Sequence, residues 1–396
     1  MPLERSFVPY GCYFSTPFSR WQGSLGTQHA IKLVAGVTKS FLDDRQVDPG
    51  ILESLVLGYT VPQRRSFYGG PWLAGMIGAP GISGQMVGQA CATSARIVAN
   101  AALEVEAGLR SAVLTVACDR TSNGPTVFYP NPEGVGGRGE TEEPVWDNFN
   151  KDPWAGQAMI QTAENVAAEA GITRQEQDAL TLRRDDQYRD ALADDRAFQR
   201  RYMMPVELGR GKKAKTFDAD EGVFPTDAAG LGRLKPVLPE GTVTFGTQTY
   251  PADGGAGMIV CDAERARTLS RDPARTIQIL GFGEARVAKA MMPTAVVPAA
   301  RQALERAGVG ADQLAAIKTH NPFAVNDLYF AREMGVDAET MNNFGSPLIY
   351  GHPQGPTGLR VMAELIEELC ASGGGLGLFA GCAAGDTAMA VVFKVS

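Results

Sequence analysis

Cys91 stands in "GQACATSARIVANAAL", where a glycine-loosened loop runs into a helix-like repeat of apolar residues. The spacing puts this cysteine in the first turn of the helix, among unpaired backbone N–H groups at the positive end of the helix dipole. That setting favours thiolate over thiol. A thiolate attacks an activated acyl carbon such as a thioester, and a neighbouring imidazole takes the thiol proton. Only three histidines are available, His29, His320 and His352. His352 lies in "GHPQG", directly before a helical run, and His320 ends a strand-like run in "KTHNPFAVND". A second cysteine, Cys382, lies in "FAGCAAGD" and reads as part of a turn between two strands. Backbone N–H groups in such small-residue turns can hold a tetrahedral oxyanion. A second thiol can move a proton at the α-carbon of another acyl group, which permits carbon–carbon bond making or breaking. A hydrolase has no need of it.

An internal repeat positions these residues. Residues 28–60 read as an amphipathic helix, a short linker and a strand, and 294–320 read the same way. In each half there follows a loop, a helix ("CATSARIVANAALEVEAG"; "QGPTGLRVMAELIEELCASG") and a strand ("RSAVLTVACD"; "GGLGLFAGCAA"). A last strand closes each half, at 255–266 and 386–395. Apolar residues recur at three to four positions in the helices, and the strands are short and β-branched. Two α/β halves follow, with strand ends and helix starts meeting near a pseudo-twofold axis, where open α/β sheets bind ligands.

The connection across 121–246 is far too long for a loop and reads as an inserted, partly helical lid. It contains "QTAENVAAEAGITRQEQDALTLRRDDQYRDALAD", with Thr173 as the N-cap of the second segment. The preceding "FYPNPEGVGGRGETEEP" reads as irregular. With 396 residues, 44% hydrophobic, the chain can build two or three domains around a large core. A net charge of −7 argues against a nucleic-acid or membrane-surface role, and "GRGKKAK" at 209–215 reads as a solvated loop. There is no apolar leader and no run of 18 apolar residues. The six cysteines form no CxxC pair, so neither a metal site nor a disulfide framework is expected, and a reducing cytoplasm is the default. Cys12, Cys118, Cys261 and Cys370 read as core residues, and His29 as structural or exposed.

The segments "GQACATSA", "TAENVAAEAGITRQEQDAL", "KPVLPEGTVTFGTQTYPADGGAGMIV", "GHPQGPTG" and "GCAAGDTAMAVVF" occur in this order. Through them the chain resembles the thiolases, the acyl-CoA C-acyltransferases, over nearly its whole length. The resemblance implies a thiolase-like five-layered αβαβα fold of two duplicated halves. The first half would be 1–120 plus 247–269, with 121–246 as the inserted loop domain and 270–396 as the second half. It implies Cys91 as the acylated nucleophile, His352 as its activating base and Cys382 as the proton-transferring acid/base. The N–H groups of Cys91 and Ala384 would form one oxyanion hole, and His352 with His320 the other. Met159, Thr249, Met292 and Phe323 would line the acyl or pantetheine pocket. Coenzyme A would be a substrate, with β-ketoacyl-CoA and acyl-CoA, and no metal is expected in the chain.

The departures from the family pattern bear on specificity. Position 320 is often Asn in a "NEAF" motif, and "HNPF" here is closer to the "HDCF" of sterol-carrier-protein-type thiolases. Ala384 replaces a glycine, Ala158 a common His, Phe224 an Arg that lies against the CoA adenine, and Asp119 a common Glu. With "FYGGPW" (67–72) these departures suggest a bulky or aromatic acyl group. A homodimer or homotetramer is usual for the fold, and the altered CoA contacts suggest a small zinc-ribbon/OB-type partner subunit. Two rival readings are a ketoacyl- or hydroxymethylglutaryl-type synthase, and a non-catalytic acyl-CoA-binding subunit of a complex.

Overall fold

The strand segments pair into two sheets of matching connectivity in a computed structural model that describes residues 2–209 and 211–396. Arg210, in the 209–215 basic stretch, lies outside the described residues. In the first sheet the order is Tyr13–Ser15, Ala252–Cys261, Ala112–Arg120, Ser54–Gly58 and Gln85–Val87. In the second it is Ile277–Arg286, Thr387–Val395, Gly375–Ala383 and Leu314–His320. Ser54–Gly58 pairs in parallel with both Ala112–Arg120 and Gln85–Val87, and Leu314–His320 pairs in parallel with Gly375–Ala383. The remaining long pairs of both sheets are antiparallel. The sequence repeat is therefore a repeat of topology.

Helix Ala30–Arg45 covers the outer face of the first sheet and helix Val296–Ala307 that of the second. Between the sheets lie Thr93–Glu106 and Thr357–Ala371, which pack on each other and on strands of both. Helix, sheet, helix pair, sheet, helix gives the five layers. One apolar cluster unites the middle three, drawing Val98 and Ala102 from one helix, Met362 and Leu365 from the other, and Val113 and Phe393 from the two sheets. Burial of this kind, at about 25 cal/mol per Å² of apolar surface, is the main force holding the halves together.

Helix Thr357–Ala371 is buried along nearly its whole circumference, including Arg360, Glu364, Glu367 and Glu368. A charged side chain survives there only when paired. Arg360 makes a two-pronged ion pair with Asp220 at 2.6 and 2.7 Å, bonds Glu364 at 3.0 Å, and lies 3.6 Å over the Tyr350 ring. Asp220 belongs to the 121–246 segment, so this pair fastens that segment to the central layer. Replacing Asp220 by Ala strands the guanidinium and should cost about 3–5 kcal/mol. The check is the shift in the denaturant midpoint, and an unchanged midpoint would contradict the fastening role.

Several local readings change. The segment at 255–266 is a strand only to Cys261, because Asp262 caps a short helix, Ala263–Leu269, by accepting from the Arg265 N–H at 2.8 Å. The stretch read as irregular contains an antiparallel hairpin, Val127–Tyr129 with Glu140–Glu142. Thr173 caps helix Arg174–Arg196 in a reciprocal box with Glu176, as its spacing predicts. His29 sits at the N-cap of Ala30–Arg45 instead of inside it. Cys12, Cys118, Cys261 and Cys370 are all buried free thiols. Among the described residues no helix is long and apolar enough to cross a membrane.

Candidate active site

Cys91 is delivered by a tight turn between the edge strand Gln85–Val87 and helix Thr93–Glu106. Ala90 adopts a left-handed backbone with φ +44°, a strained choice for a residue with a side chain. The turn is held by Thr93, whose hydroxyl donates to the Ala90 carbonyl at 2.7 Å and accepts from the Gln89 N–H at 2.8 Å. Cys91 thus lies two residues before the helix and not in its first turn.

His352 arrives from the second half. Its Nε2 lies 3.1 Å from Cys91 Sγ, and its Nδ1 lies 2.7 Å from the Thr357 hydroxyl. Thr357 opens the central helix, so the imidazole is oriented by the first residue of the element that follows it. With Nδ1–H donating to Thr357, Nε2 is free to receive the thiol proton. Its loop is stitched to the segment leading into strand Ala252–Cys261, where the His352 N–H donates to the Tyr250 carbonyl at 2.9 Å. His320 ends the strand Leu314–His320, and its ring centroid lies 4.0 Å from that of His352. Both ring nitrogens of His320 are buried and without a partner. A buried imidazole left open in this way is ready to donate to a substrate oxygen.

Cys382 is the next-to-last residue of strand Gly375–Ala383, paired with Ala388, and not in the turn. The Asn326 side-chain amide donates to its sulfur at 3.3 Å. The turn itself holds Ala384, whose backbone N–H is directed at Cys91 Sγ. That turn is anchored by Asp386, whose carboxylate accepts from the Ala290 and Met291 N–H groups at 2.9 and 3.0 Å.

Burial decides the resting charges. It pushes the Cys91 thiol up to about 12, against the pull of the Ala384 N–H and its own, and it raises Cys382 well above the ordinary thiol range. The expected thiolate is therefore not the resting form, because desolvation outweighs the helix dipole. Burial likewise lowers His320 to about 3, and burial with the nearby His320 holds His352 well below its usual value. The site rests as neutral thiols and neutral imidazoles.

This has a consequence for stability. Between pH 6.5 and about 3 the unfolded chain binds a proton at position 320 that the folded chain refuses. The stability from a neutral His320 is fully present above pH 6.5 and is lost as the pH falls through that window. His320→Asn should flatten this part of the urea-midpoint profile between pH 7 and 4. An unchanged slope would contradict the assignment.

The residues expected at the pocket divide between the "HNPF" loop with its neighbouring segment and the outer core of the second half. Phe323, buried, bridges to Gln248, and the Thr249 N–H donates to the Pro322 carbonyl at 2.7 Å. These contacts lace the "HNPF" loop to the segment that also meets His352. Met159 opens helix Met159–Ala170, and with buried Met292 it packs into the outer core of the second half. Phe67 and Tyr68 of "FYGGPW" stack edge to face on the surface, 81% and 70% exposed. Thr357 and Asn326 were not singled out from sequence. Their only sequence signal is a polar side chain in the first turn of a helix beside a site motif.

Cys91, His320 and His352 present one sulfur and two ring nitrogens within 4.8 Å of one another. The imidazoles are tilted by only 31°.

A family model described as thiolase, N-terminal domain, matches residues 14–264, and one described as thiolase, C-terminal domain, matches 274–395. The chain is 30% identical over 381 residues to a beta-ketoadipyl-CoA thiolase of Pseudomonas aeruginosa, covering 93% of this chain and 94% of that protein. It is 28% identical over 394 residues to an acetyl-CoA acetyltransferase of Escherichia coli, covering 96% of each. Human mitochondrial 3-ketoacyl-CoA thiolase superposes with a TM-score of 0.91 at 25% identity, covering 100% of both chains.

Proposed function

Because the chain belongs to the thiolase family and is a CoA-dependent acyltransferase, we propose that it cleaves a β-ketoacyl-CoA through an acyl-Cys91 intermediate. The observation that carries the role of Cys91 is its 3.1 Å contact with His352 Nε2, beneath the Ala384 N–H. In the cleavage direction His352 takes the thiol proton as Cys91 Sγ attacks the β-keto carbon. The oxyanion formed there faces the N–H groups of Cys91 and Ala384. The bond between the α- and β-carbons then breaks. The enolate oxygen of the departing thioester is held by His320 and protonated His352, and its α-carbon takes the Cys382 proton. Coenzyme A enters and gives its thiol proton to the Cys382 thiolate. Its sulfur attacks the acyl-Cys91 thioester, and Cys91 leaves and recovers its proton from His352. The reverse sequence is a Claisen condensation.

Met159, Thr249, Met292 and Phe323 line the acyl or pantetheine path in this reading, and residues 121–246 close over it. A β-ketoacyl group that is bulkier than acetoacetyl or aromatic is the preferred substrate, on the departures at Ala158, Phe224 and His320. Phe224 is 71% exposed and supplies no guanidinium to lie against the CoA adenine, which supports a small zinc-ribbon/OB-type partner subunit at that surface. A homodimer or homotetramer, usual for the fold, and a reducing cytoplasm, which suits the six free thiols, complete the proposal. Incubation with a panel of β-ketoacyl-CoAs, followed by mass detection of the acyl group on the Cys91 peptide, tests it. Label on another residue, or none with any member of the panel, would overturn it.

A further inference from the structure

One carboxylate that the reaction does not use reaches across the boundary between the two halves. Asp119, next to last in strand Ala112–Arg120, is 1% exposed. Its Oδ1 accepts from the backbone N–H groups of Thr60 and Val61 at 2.8 and 2.9 Å. Its Oδ2 accepts from the Thr60 hydroxyl at 2.9 Å and from the Gly355 N–H at 2.8 Å. Gly355 lies in the other half, three residues after His352. Its carbonyl accepts a short hydrogen bond from the hydroxyl of Ser94, three residues after Cys91.

Gly355 is thus gripped on its N–H and its C=O by the half that carries the nucleophile. The fit leaves no room: a Cβ at Gly355 would stand 2.6 Å from Asp119 Oδ2, although its backbone angles do not themselves demand glycine. Gln354 completes the grip, with its side-chain oxygen 2.8 Å from the Thr60 hydroxyl. That hydroxyl has one proton and cannot serve both acceptors. Turning the Gln354 amide lets its nitrogen, otherwise unpartnered, donate to Thr60 while Thr60 donates to Asp119.

We propose that Asp119, acting through Gly355, is the positioning residue that sets His352 against Cys91 across the two halves, with Ser94 holding the opposite end of the same residue. Nucleophile and base are 261 residues apart and share one 3.1 Å contact. Their separation follows from how the His352 loop docks on the first half, and Gly355 is where it docks. Attraction to the nucleophile does not explain the carboxylate, since its charge opposes ionisation of Cys91. A buried carboxylate without a cation is costly and is kept where its hydrogen bonds do something.

The inference rests on the thiolase reading, so wild-type turnover is the control for that reading and the variants test the grip. Gly355→Ala drives a methyl into Asp119, and Asp119→Asn turns an N–H toward the Gly355 N–H. Each should lower kcat by on the order of 10²-fold with little change in KM, as a displaced catalytic group does. Acting through one contact, the double variant should be no worse than either single one. Iodoacetamide alkylation of Cys91 at pH 7 needs no acyl substrate and should slow in Gly355→Ala, because His352 no longer receives the thiol proton. Ser94→Ala should move the same readouts by about tenfold and carries the test if the other variants do not fold. Folded variants with wild-type kcat and alkylation, or losses that multiply in the double variant, would overturn the proposal.

Discussion

Replacing Cys91 by Ala will reduce β-ketoacyl-CoA cleavage by at least about 10⁴-fold, the scale on which a covalent nucleophile acts, and will leave no acyl adduct. The buried sulfur is within 3.1 Å of His352 and faces the Ala384 N–H, and no neighbouring thiol occupies its position. Cys382 is also buried and is engaged with Asn326, so it cannot substitute as the attacking group. The variant should still fold, since losing one sulfur at the end of a turn removes little packing. Burst measurements with intact-mass detection separate the outcomes. Residual cleavage within tenfold of wild type would remove Cys91 from the nucleophile role, and absence of cleavage in the wild type itself would favour the non-catalytic acyl-CoA binder.

The second large effect belongs to Cys382. In the proposed mechanism Cys382→Ala removes the proton donor to the enolate carbon, and cleavage should fall by about 10³-fold, within the range for a positioned general acid. Acylation of Cys91 by a simple acyl-CoA should continue, because the leaving CoA thiolate needs little help and the Cys91–His352 pair is untouched. Single-turnover labelling beside steady-state cleavage reads both. Equal loss in the two assays would contradict a role centred on protonating the enolate carbon. Retention of cleavage would turn attention to the synthase-type chemistry in which a second thiol is not required.

The family, the α/β class and the repeat were legible because they are written in local patterns: 3–4 spacing, short β-branched runs, and motifs in a fixed order. What failed depended on surroundings that a linear sequence does not carry. The helix start at Cys91 predicted a thiolate, but the sequence gives no measure of desolvation, and burial raised the thiol instead. The same sequence pattern placed the helix start two residues early, because it is Thr93 that closes the turn. Cys382 read as a turn residue because glycines and alanines surround it, although the ladder with Ala388 continues past it. Thr357 and Asn326, and the contact made by Asp119, stayed hidden for another reason. Asp119 and Gly355 are 236 positions apart and meet only once both sheets have formed.

The central helix pair also dictates when the chain can finish folding on the ribosome. Strand Ala252–Cys261 lies between Tyr13–Ser15 and Ala112–Arg120, so the first sheet cannot close until the 121–246 segment has been synthesised. Helix Thr357–Ala371 and strand Thr387–Val395 emerge later still, and until then the inner face of Thr93–Glu106 has no partner. Nascent chains therefore carry an open apolar layer through most of translation. Such a topology, dominated by contacts distant in sequence, folds slowly and is vulnerable to aggregation in that interval. Truncation of the last strand alone should leave insoluble protein and not a working first half.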